Sequence, residues 1–434
     1  MGKRKAIKRR DFIQVASAAI GAPFIVPSSV FGAVSPSNRF TMGCIGMGGM
    51  GTGNMQNFLK RDDVQVLAVC DVDRLHRLDA KNIVEKTYAE KMEMGHYSGC
   101  DHYNDFRDII YRKDIDLVSI AVPDHWHAVP AIMAANAGKD IYAEKPLART
   151  IHEGRAICNA VHRNGVVWQT GSWQRSVENF RFACELVRNG RIGKLKEVQV
   201  GLPTGKPVAE PCPEMPVPEG FDYDFWLGPA PRAPYTKNRC HWNFRWIKDY
   251  SGGQLTDWAG HHCDIAQWGM DTEYTGPVEL EGEGVYPRDG LWDAVIEYQF
   301  TCRYANGLVM KVANDTKIPM GAKFIGSDGW VHVSRGETNA EPASLLSSII
   351  GPDEIHLYRS NDHYANFIDS VRSRKLTITP VEIAQRSISI GHLGDIAMQL
   401  RRKLRWDTEK ERFIDDPEAD RMLLRSYRSP WSLL

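Results

Sequence analysis

Gly46-Met47-Gly48-Gly49-Met50-Gly51 fits G-x-G-x-x-G, lies between two apolar runs, Phe40–Ile45 and Val64–Cys70, and is followed by an acidic residue, Asp71. That order is a dinucleotide fingerprint. Gly46 permits a tight strand-to-helix turn, Gly48 lets backbone N–H groups approach a pyrophosphate, and Gly51 lets the helix pack close on the strand. The phosphates sit at a helix N-terminus, where unpaired N–H groups favour an anion. Asp71 is placed to accept hydrogen bonds from a ribose diol, which favours NAD, while Arg74 and Arg77 just beyond it leave NADP open. Further along, Lys145 ends an apolar run in a cleft, where an amine trades a proton with a substrate hydroxyl. Asp257 and His261 are four apart, so a helix beginning near Thr256 sets both on one face, with Asp264 one turn further. A carboxylate beside an imidazole holds its tautomer, which suits His261 to remove an alcohol proton as hydride departs.

These residues need elements to hold them. From Arg39 onward, short apolar strands alternate with helical segments: Leu117–Val122 precedes Asp124-His125-Trp126-His127, and Ile141-Tyr142-Ala143 delivers Glu144-Lys145-Pro146. Alternation of this kind predicts a parallel sheet, whose ligands bind beyond the carboxyl ends of the strands. Past Lys194 the pattern changes to longer strands such as Leu195 to Leu202 and Ala294 to Thr301, with helices over Asp362 to Arg374 and Val381 to Lys403. The fold expected is an α/β Rossmann nucleotide-binding domain over residues 39–172. An α+β domain with an open, mainly antiparallel sheet follows over 173–434, for substrate binding and oligomerisation.

Residues 1–33 read as a targeting segment. Six basic residues precede a mildly apolar run from Phe12 to Val26 and a small-residue end, and Arg9-Arg10-Asp11-Phe12-Ile13 looks like a twin-arginine export signal. The expected destination is the periplasm, with the twin-arginine translocase as a transient partner and a retained N-terminal anchor left open. Interrupted by Gly21 and Pro23, the apolar run predicts no stable membrane span. The 434-residue chain has formal net charge zero, and removing the basic segment leaves it mildly acidic, which argues against nucleic acid as a partner. Its nine cysteines are odd in number and lack CxxC pairs, so no disulfide framework is expected.

Taken in order, the glycine fingerprint, Val122-Pro123-Asp124-His125-Trp126-His127, Glu144-Lys145-Pro146 and Gly252-Gly253-Gln254-Leu255-Thr256-Asp257-Trp258-Ala259-Gly260-His261-His262-Cys263-Asp264 resemble the Gfo/Idh/MocA oxidoreductases. That group contains glucose-fructose oxidoreductase and inositol dehydrogenase. The resemblance implies that Lys145, Asp257 and His261 bind the reacting alcohol and relay its proton, with His241 and His262 beside the substrate. It implies that Pro123, Asp124, His127, Glu144, Lys145, Trp173 and Arg175 border the cofactor, Trp173 as a stacking wall and Arg175 as a hydrogen-bond donor. His262 replaces an acidic residue common in inositol dehydrogenases, which bears on substrate identity. A homodimer or homotetramer is implied by the resemblance alone.

The activity expected is therefore hydride transfer between a secondary hydroxyl of a sugar, glycoside or polyol and a tightly bound nicotinamide cofactor. Transient oxidation at a sugar C3 followed by elimination, ending in net hydrolysis, is an alternative. A non-catalytic dinucleotide- or sugar-binding protein is another. No metal is expected, although Cys240, His241, Asp257, His261, His262 and Asp264 offer a rival ligand set. An aromatic loop with Phe221, Tyr223, Trp226, Tyr235 and Trp242 is a candidate wall for a sugar.

Overall fold

In the computed structural model, which describes residues 39–207 and 212–433, the chain enters on β1 (Phe40–Ile45). The stretch read as an export signal lies outside those residues. After β1 come α1 (Gly49–Leu59), β2 (Val64–Cys70), α2 (Arg74–Thr87), β3 (Asp101–Tyr103), β4 (Leu117–Ile120), α3 (Ala128–Asn136), β5 (Asp140–Ala143), α4 (Ile151–Asn164) and β6 (Trp168–Thr170). The strands form one sheet in the order β3-β2-β1-β4-β5-β6, every pair parallel. β4, β5 and β6 are buried along their whole length, because helices cover both faces of a parallel sheet, and the few polar residues in them are buried too. Two caps fix helix starts here. Asp73 accepts from the Leu75 N–H at the head of α2, and Thr150 and Glu153 form a reciprocal capping box on α4.

The strand order reverses between β1 and β4, and a crevice opens there beyond the carboxyl ends of the strands. Gly46, Asp71, Pro123, Glu144 and Lys145 all follow strand ends at that edge.

The second sheet has nine strands. They are β7 (Glu197–Leu202), β8 (Glu279–Val285), β9 (Glu297–Arg303), β10 (Val309–Asn314), β11 (Gly321–Ile325), β12 (Trp330–Ser334), β13 (Glu337–Glu341), β14 (Leu404–Asp407) and β15 (Arg412–Phe413). Their order is β13-β12-β11-β7-β10-β9-β8-β14-β15, antiparallel throughout except β7 with β10. The open, mainly antiparallel sheet expected is what forms. Strand β9 starts at Glu297 rather than Ala294, because the Asp293 and Ala294 N–H groups are bound to the Trp246 carbonyl. Between β7 and β8 run α5 (Gly253–Trp258), a π-helical turn (Ala259–Cys263) and α6 (Asp264–Met270); after β13 come α7 (His363–Ser373) and α8 (Val381–Leu400). Strand β9 alternates exposed and buried residues, and α8 covers its buried face. Gly394 allows that approach, since a Cβ there would stand 2.5 Å from the Phe300 ring.

The later chain folds back onto the first sheet. In α7, Phe367 packs edge-on to Phe58 and Tyr142, and the Tyr364 hydroxyl donates to Asn54 Oδ1 at 2.8 Å. Near the C-terminus, Arg425 donates to Glu153 Oε1 and to the His125 carbonyl, and Trp431 meets the Trp126 ring edge-on. A division at residue 172 separates the two sheets, but it cuts through shared packing. Among the described residues, no helix is long and apolar enough to cross a membrane. All nine cysteines are free, and eight are buried.

Candidate active site

The crevice at the strand ends encloses about 580 Å³ and is lined by Gly46, Gly48, Gly49, Met50, Asp71, Pro123, Asp124, Glu144, Lys145 and Asp257, among others. That volume suits a small-molecule or cofactor site. Its glycines divide into two kinds. A Cβ at Gly46 would lie 2.5 Å from the Ala121 carbonyl oxygen, and one at Gly51 would lie 1.8 Å from that of Gly46, so both are required by close backbone approach. Gly48 and Gly49 face open space, which leaves a bare backbone cradle at the head of α1. Asp71 closes the cradle: its Oδ2 accepts from the Met47 N–H at 2.6 Å and its Oδ1 from the Asp73 N–H at 2.8 Å. Arg77, one of the two arginines that left a 2′-phosphate open, is turned onto the Asp71 carbonyl and Asn104. A dinucleotide therefore fits the residues present, with its phosphates on the cradle and a ribose at Asp71.

Deeper in the crevice, Lys145 Nζ stands 2.8 Å from Asp257 Oδ1 and 3.3 Å from the Asp257 carbonyl oxygen. Arg245 Nε is 3.9 Å from the same carboxylate oxygen. Burial would push the Asp257 carboxyl up, but the Lys145 ammonium and Arg245 outweigh it and hold it below the usual carboxylate range. Glu144 accepts from Asn54 Nδ2, and Asp124 accepts from the Ser251 hydroxyl. Burial raises both carboxyls, against the opposing pull of Lys145 on Glu144 and of His127 on Asp124.

His261 lies in the π-helical turn, which packs on Lys145: a Cβ on Gly260 would be 3.4 Å from the Lys145 Cβ. The turn is anchored by the Ser172 hydroxyl donating to the Gly260 carbonyl at 2.8 Å. Burial, then the nearby Lys145 and Arg335 cations, hold the His261 imidazole neutral, with its pKa well below the ordinary value. Trp258 and Trp173 flank its ring at 5.5 and 6.3 Å. Between those two indoles lies Arg335, its guanidinium 4.6 Å from Trp173 and 4.4 Å from Trp258. Sequence reading missed Arg335, which sits in a hairpin turn and carries no local signal.

Several expected placements are corrected. The Asp257 carboxylate does not orient His261; its partner is Lys145, and His261 Nδ1 is buried without a partner. The π-helical turn takes more residues per turn than an α-helix, so the four-residue spacing does not align the two residues as an α-helix would. Asp264 is turned away to Arg175. Arg175, expected beside the cofactor, is 2% exposed and fully engaged by Asp264 and Glu273. His262 is buried against Phe180 and Trp258 rather than facing a substrate. His241, expected beside the substrate, lines the same crevice as Lys145 and stands 3.9 Å from Asp73 at the ribose end. His127 supports the turn by donating to the Val122 carbonyl. In the aromatic loop, Phe221, Trp226 and Trp242 line the crevice, whereas Tyr223 and Tyr235 belong to a buried aromatic cluster. The rival metal set is scattered, with Cys240 inside that cluster.

Buried neutral histidines give the fold a pH dependence. Burial lowers His125, His262 and His392 to about 3 and His363 to about 4, and lowers His261 as well. The unfolded chain binds these protons first, so their contribution is present above the ordinary histidine value of about 6.5 and is lost as pH falls toward the folded values. Asp124 and Glu144 act in the opposite sense, since their raised carboxyls take up protons earlier in the folded state. Each histidine adds up to about 1.4 kcal/mol per pH unit below its ordinary value, and five histidines against two carboxyls make the expected net change a loss of stability between pH 7.5 and pH 5. Urea unfolding at pH 7.5 and at pH 5 checks this; equal midpoints would contradict it.

Fold and crevice together define a two-domain, NAD-binding oxidoreductase. A family profile described as "Oxidoreductase family, NAD-binding Rossmann fold" matches residues 40–172, and "Oxidoreductase family, C-terminal alpha/beta domain" matches residues 198–433. The chain belongs to the Gfo/Idh/MocA oxidoreductase family, and its cofactor is NAD. A glycosyl hydrolase family 109 protein of Shewanella pealeana is 32% identical over 171 residues, which are 38% of this chain and 36% of that protein. Levoglucosan dehydrogenase of Pseudarthrobacter phenanthrenivorans is 41% identical over 92 residues, 21% of this chain and 24% of that one. The chain thus spans less than half the length of these curated relatives. Among solved structures, the WlbA dehydrogenase of Bordetella pertussis in complex with NADH and UDP-GlcNAcA superposes with a TM-score of 0.60 at 15% identity, covering 85% of this chain and 99% of that one. Scyllo-inositol dehydrogenase of Lactobacillus casei, with bound NAD(H) and scyllo-inositol, gives 0.56 at 16% identity, covering 85% and 99%. At those identities the likeness is one of fold.

Proposed function

We propose that the chain is an exported oxidoreductase that moves hydride between a secondary hydroxyl of a sugar, glycoside or polyol and a tightly held NAD. The observation that carries this reading is the Lys145–Asp257 pair at the inner end of the crevice, with the neutral His261 ring packed beside it. When bound, NAD supplies the hydride acceptor. Lys145 Nζ donates a hydrogen bond to the reacting hydroxyl oxygen, and Asp257 fixes where that ammonium points. The neutral imidazole of His261 receives the proton. Trp173, Trp258 and Arg335 gather around His261 outside the residues that line the crevice, and in this reading they take the side of the sugar ring away from the nicotinamide.

No pool renews free cofactor outside the cytoplasm, so an exported enzyme of this kind keeps its NAD and restores it with a second substrate in the same site. Mass spectrometry of protein purified from a periplasmic fraction is expected to find NAD near one per chain after gel filtration. Cofactor-free protein, or protein confined to the cytoplasm with its first 33 residues intact, would argue against the reading.

The relatives named as glycosyl hydrolase family 109 proteins favour a second outcome at the same site. Oxidation at C3 acidifies the neighbouring C–H, the aglycone is eliminated, and water and the returned hydride complete a net hydrolysis. Product analysis separates the two, because a ketosugar marks the oxidoreductase and a free sugar at its original oxidation level marks the hydrolase.

A further inference from the structure

At the rim of the crevice opposite Lys145, three metal-ligating side chains converge. One carboxylate oxygen of Asp73 and one ring nitrogen each of His76 and His241 lie within 4.8 Å of one another. His241 Nε2 is 3.9 Å from Asp73 Oδ2, and the two imidazoles meet edge to face at 5.4 Å. The Asp73 Oδ1 is committed to capping α2, which leaves Oδ2 for another partner. His76 Nδ1 stands 3.7 Å from Asp71 Oδ2, close enough for that carboxylate to raise the His76 pKa, so a metal here displaces a proton from the ring.

Backbone holds the three in place from two sides. Asp73 and His76 are three apart at the head of α2, one turn of helix. His241 comes from the loop before α5, with φ 54, and the same half of the chain is tied to α2 by a Phe221–Asp73 bridge and by the Arg74 N–H donating to the Gly220 carbonyl. Two imidazoles and a carboxylate are a usual donor set for zinc, and three protein ligands leave one position open. Tetrahedral ligands at about 2.0–2.1 Å from zinc are roughly 3.4 Å apart, so side-chain rotation of about 1 Å closes the site.

We propose that Asp73, His76 and His241 bind a zinc-class divalent cation that fastens the loop carrying Trp242, Phe244 and Arg245 to the head of α2. This inference does not rest on the oxidoreductase reading. The fastening lies across the ribose end of the crevice, so occupancy also slows the escape of whatever the crevice holds.

Titrating chelator-treated full-length protein with zinc chloride by calorimetry tests the site, with Co²⁺ as an optical probe of the same ligands. One metal per chain is expected, with the visible absorption of a four-coordinate cobalt centre. His76→Asn and His241→Asn should each weaken zinc binding by about tenfold or more, whereas His96→Asn, at an exposed histidine elsewhere, should leave it unchanged. Thermal melts in chelator confirm that each variant is folded. The absence of stoichiometric binding by the wild type overturns the proposal whatever the variants do. Equal affinity in wild type and both site variants overturns it too, because the metal then sits elsewhere on the protein.

Discussion

Replacing Lys145 with alanine is expected to lower kcat/KM by roughly 10² to 10⁴ on any sugar the protein oxidises, the range typical of losing a positioned proton-transfer group. The loss should fall mainly on kcat, because the ammonium is asked to act on charge that develops at the hydroxyl oxygen as hydride leaves. Removal of Lys145 leaves Asp257 with Arg245 at 3.9 Å as its remaining close cation, so the buried carboxylate keeps partial compensation and the protein should still fold. NAD held by the glycine cradle should be retained, since Gly48, Gly49 and Asp71 are untouched. Stopped-flow reduction of the bound cofactor, with cofactor content measured in the same sample, separates the chemical step from binding. A variant that reduces its cofactor within about threefold of the wild-type rate would remove Lys145 from the chemistry, and the Asp257 pair would then be structural.

That prediction draws on a residue legible in the sequence, and the reason is local. Glycines 46, 48 and 51, Asp71, and Lys145 at a strand end all owe their placement to elements within a few residues of them, so spacing alone positions each against the sheet edge. Asp257 is different. Its partner lies 112 residues earlier, and the four-residue spacing to His261 that drew attention assumed an unbroken α-helix. The π-helical turn from Ala259 to Cys263 breaks that assumption, and no composition rule announces it. His262 shows the same limit, since the turn directs it into the core against Phe180. Arg335 was invisible because its significance comes from Trp173 and Trp258, two distant indoles that only the tertiary fold brings to either side of it. The return of α7 and the C-terminal tail onto the first sheet was equally beyond periodicity, which reads faces and not partners.

Arg175 makes the sharpest case, because the sequence expectation and the structure predict opposite phenotypes. As a cofactor donor, its loss would weaken NAD binding and spare stability. In the structure its Nε and Nη2 make a two-pronged contact with Asp264 at 2.6 and 2.9 Å, its Nη1 donates to Glu273, and its guanidinium stacks over Trp268. The Ser387 hydroxyl from α8 donates to the same Asp264 carboxylate, so the network joins the segment after β6 to α6 and α8. Burial alone would push the guanidinium down, but Asp264 and Glu273 outweigh it and keep it charged. Arg175→Met keeps the apolar stem yet strands a buried carboxylate, and breaking a buried pair from one side costs about 3–5 kcal/mol. Arg175→Lys retains the charge but cannot reproduce the fork, and should fall between. Urea unfolding is expected to place the midpoints in the order wild type, lysine, methionine, with NAD affinity of the folded fraction unchanged within about threefold. An unmoved midpoint with NAD affinity reduced tenfold would return Arg175 to the cofactor. It would also mean that the ion pair with Asp264 opens when the crevice is filled.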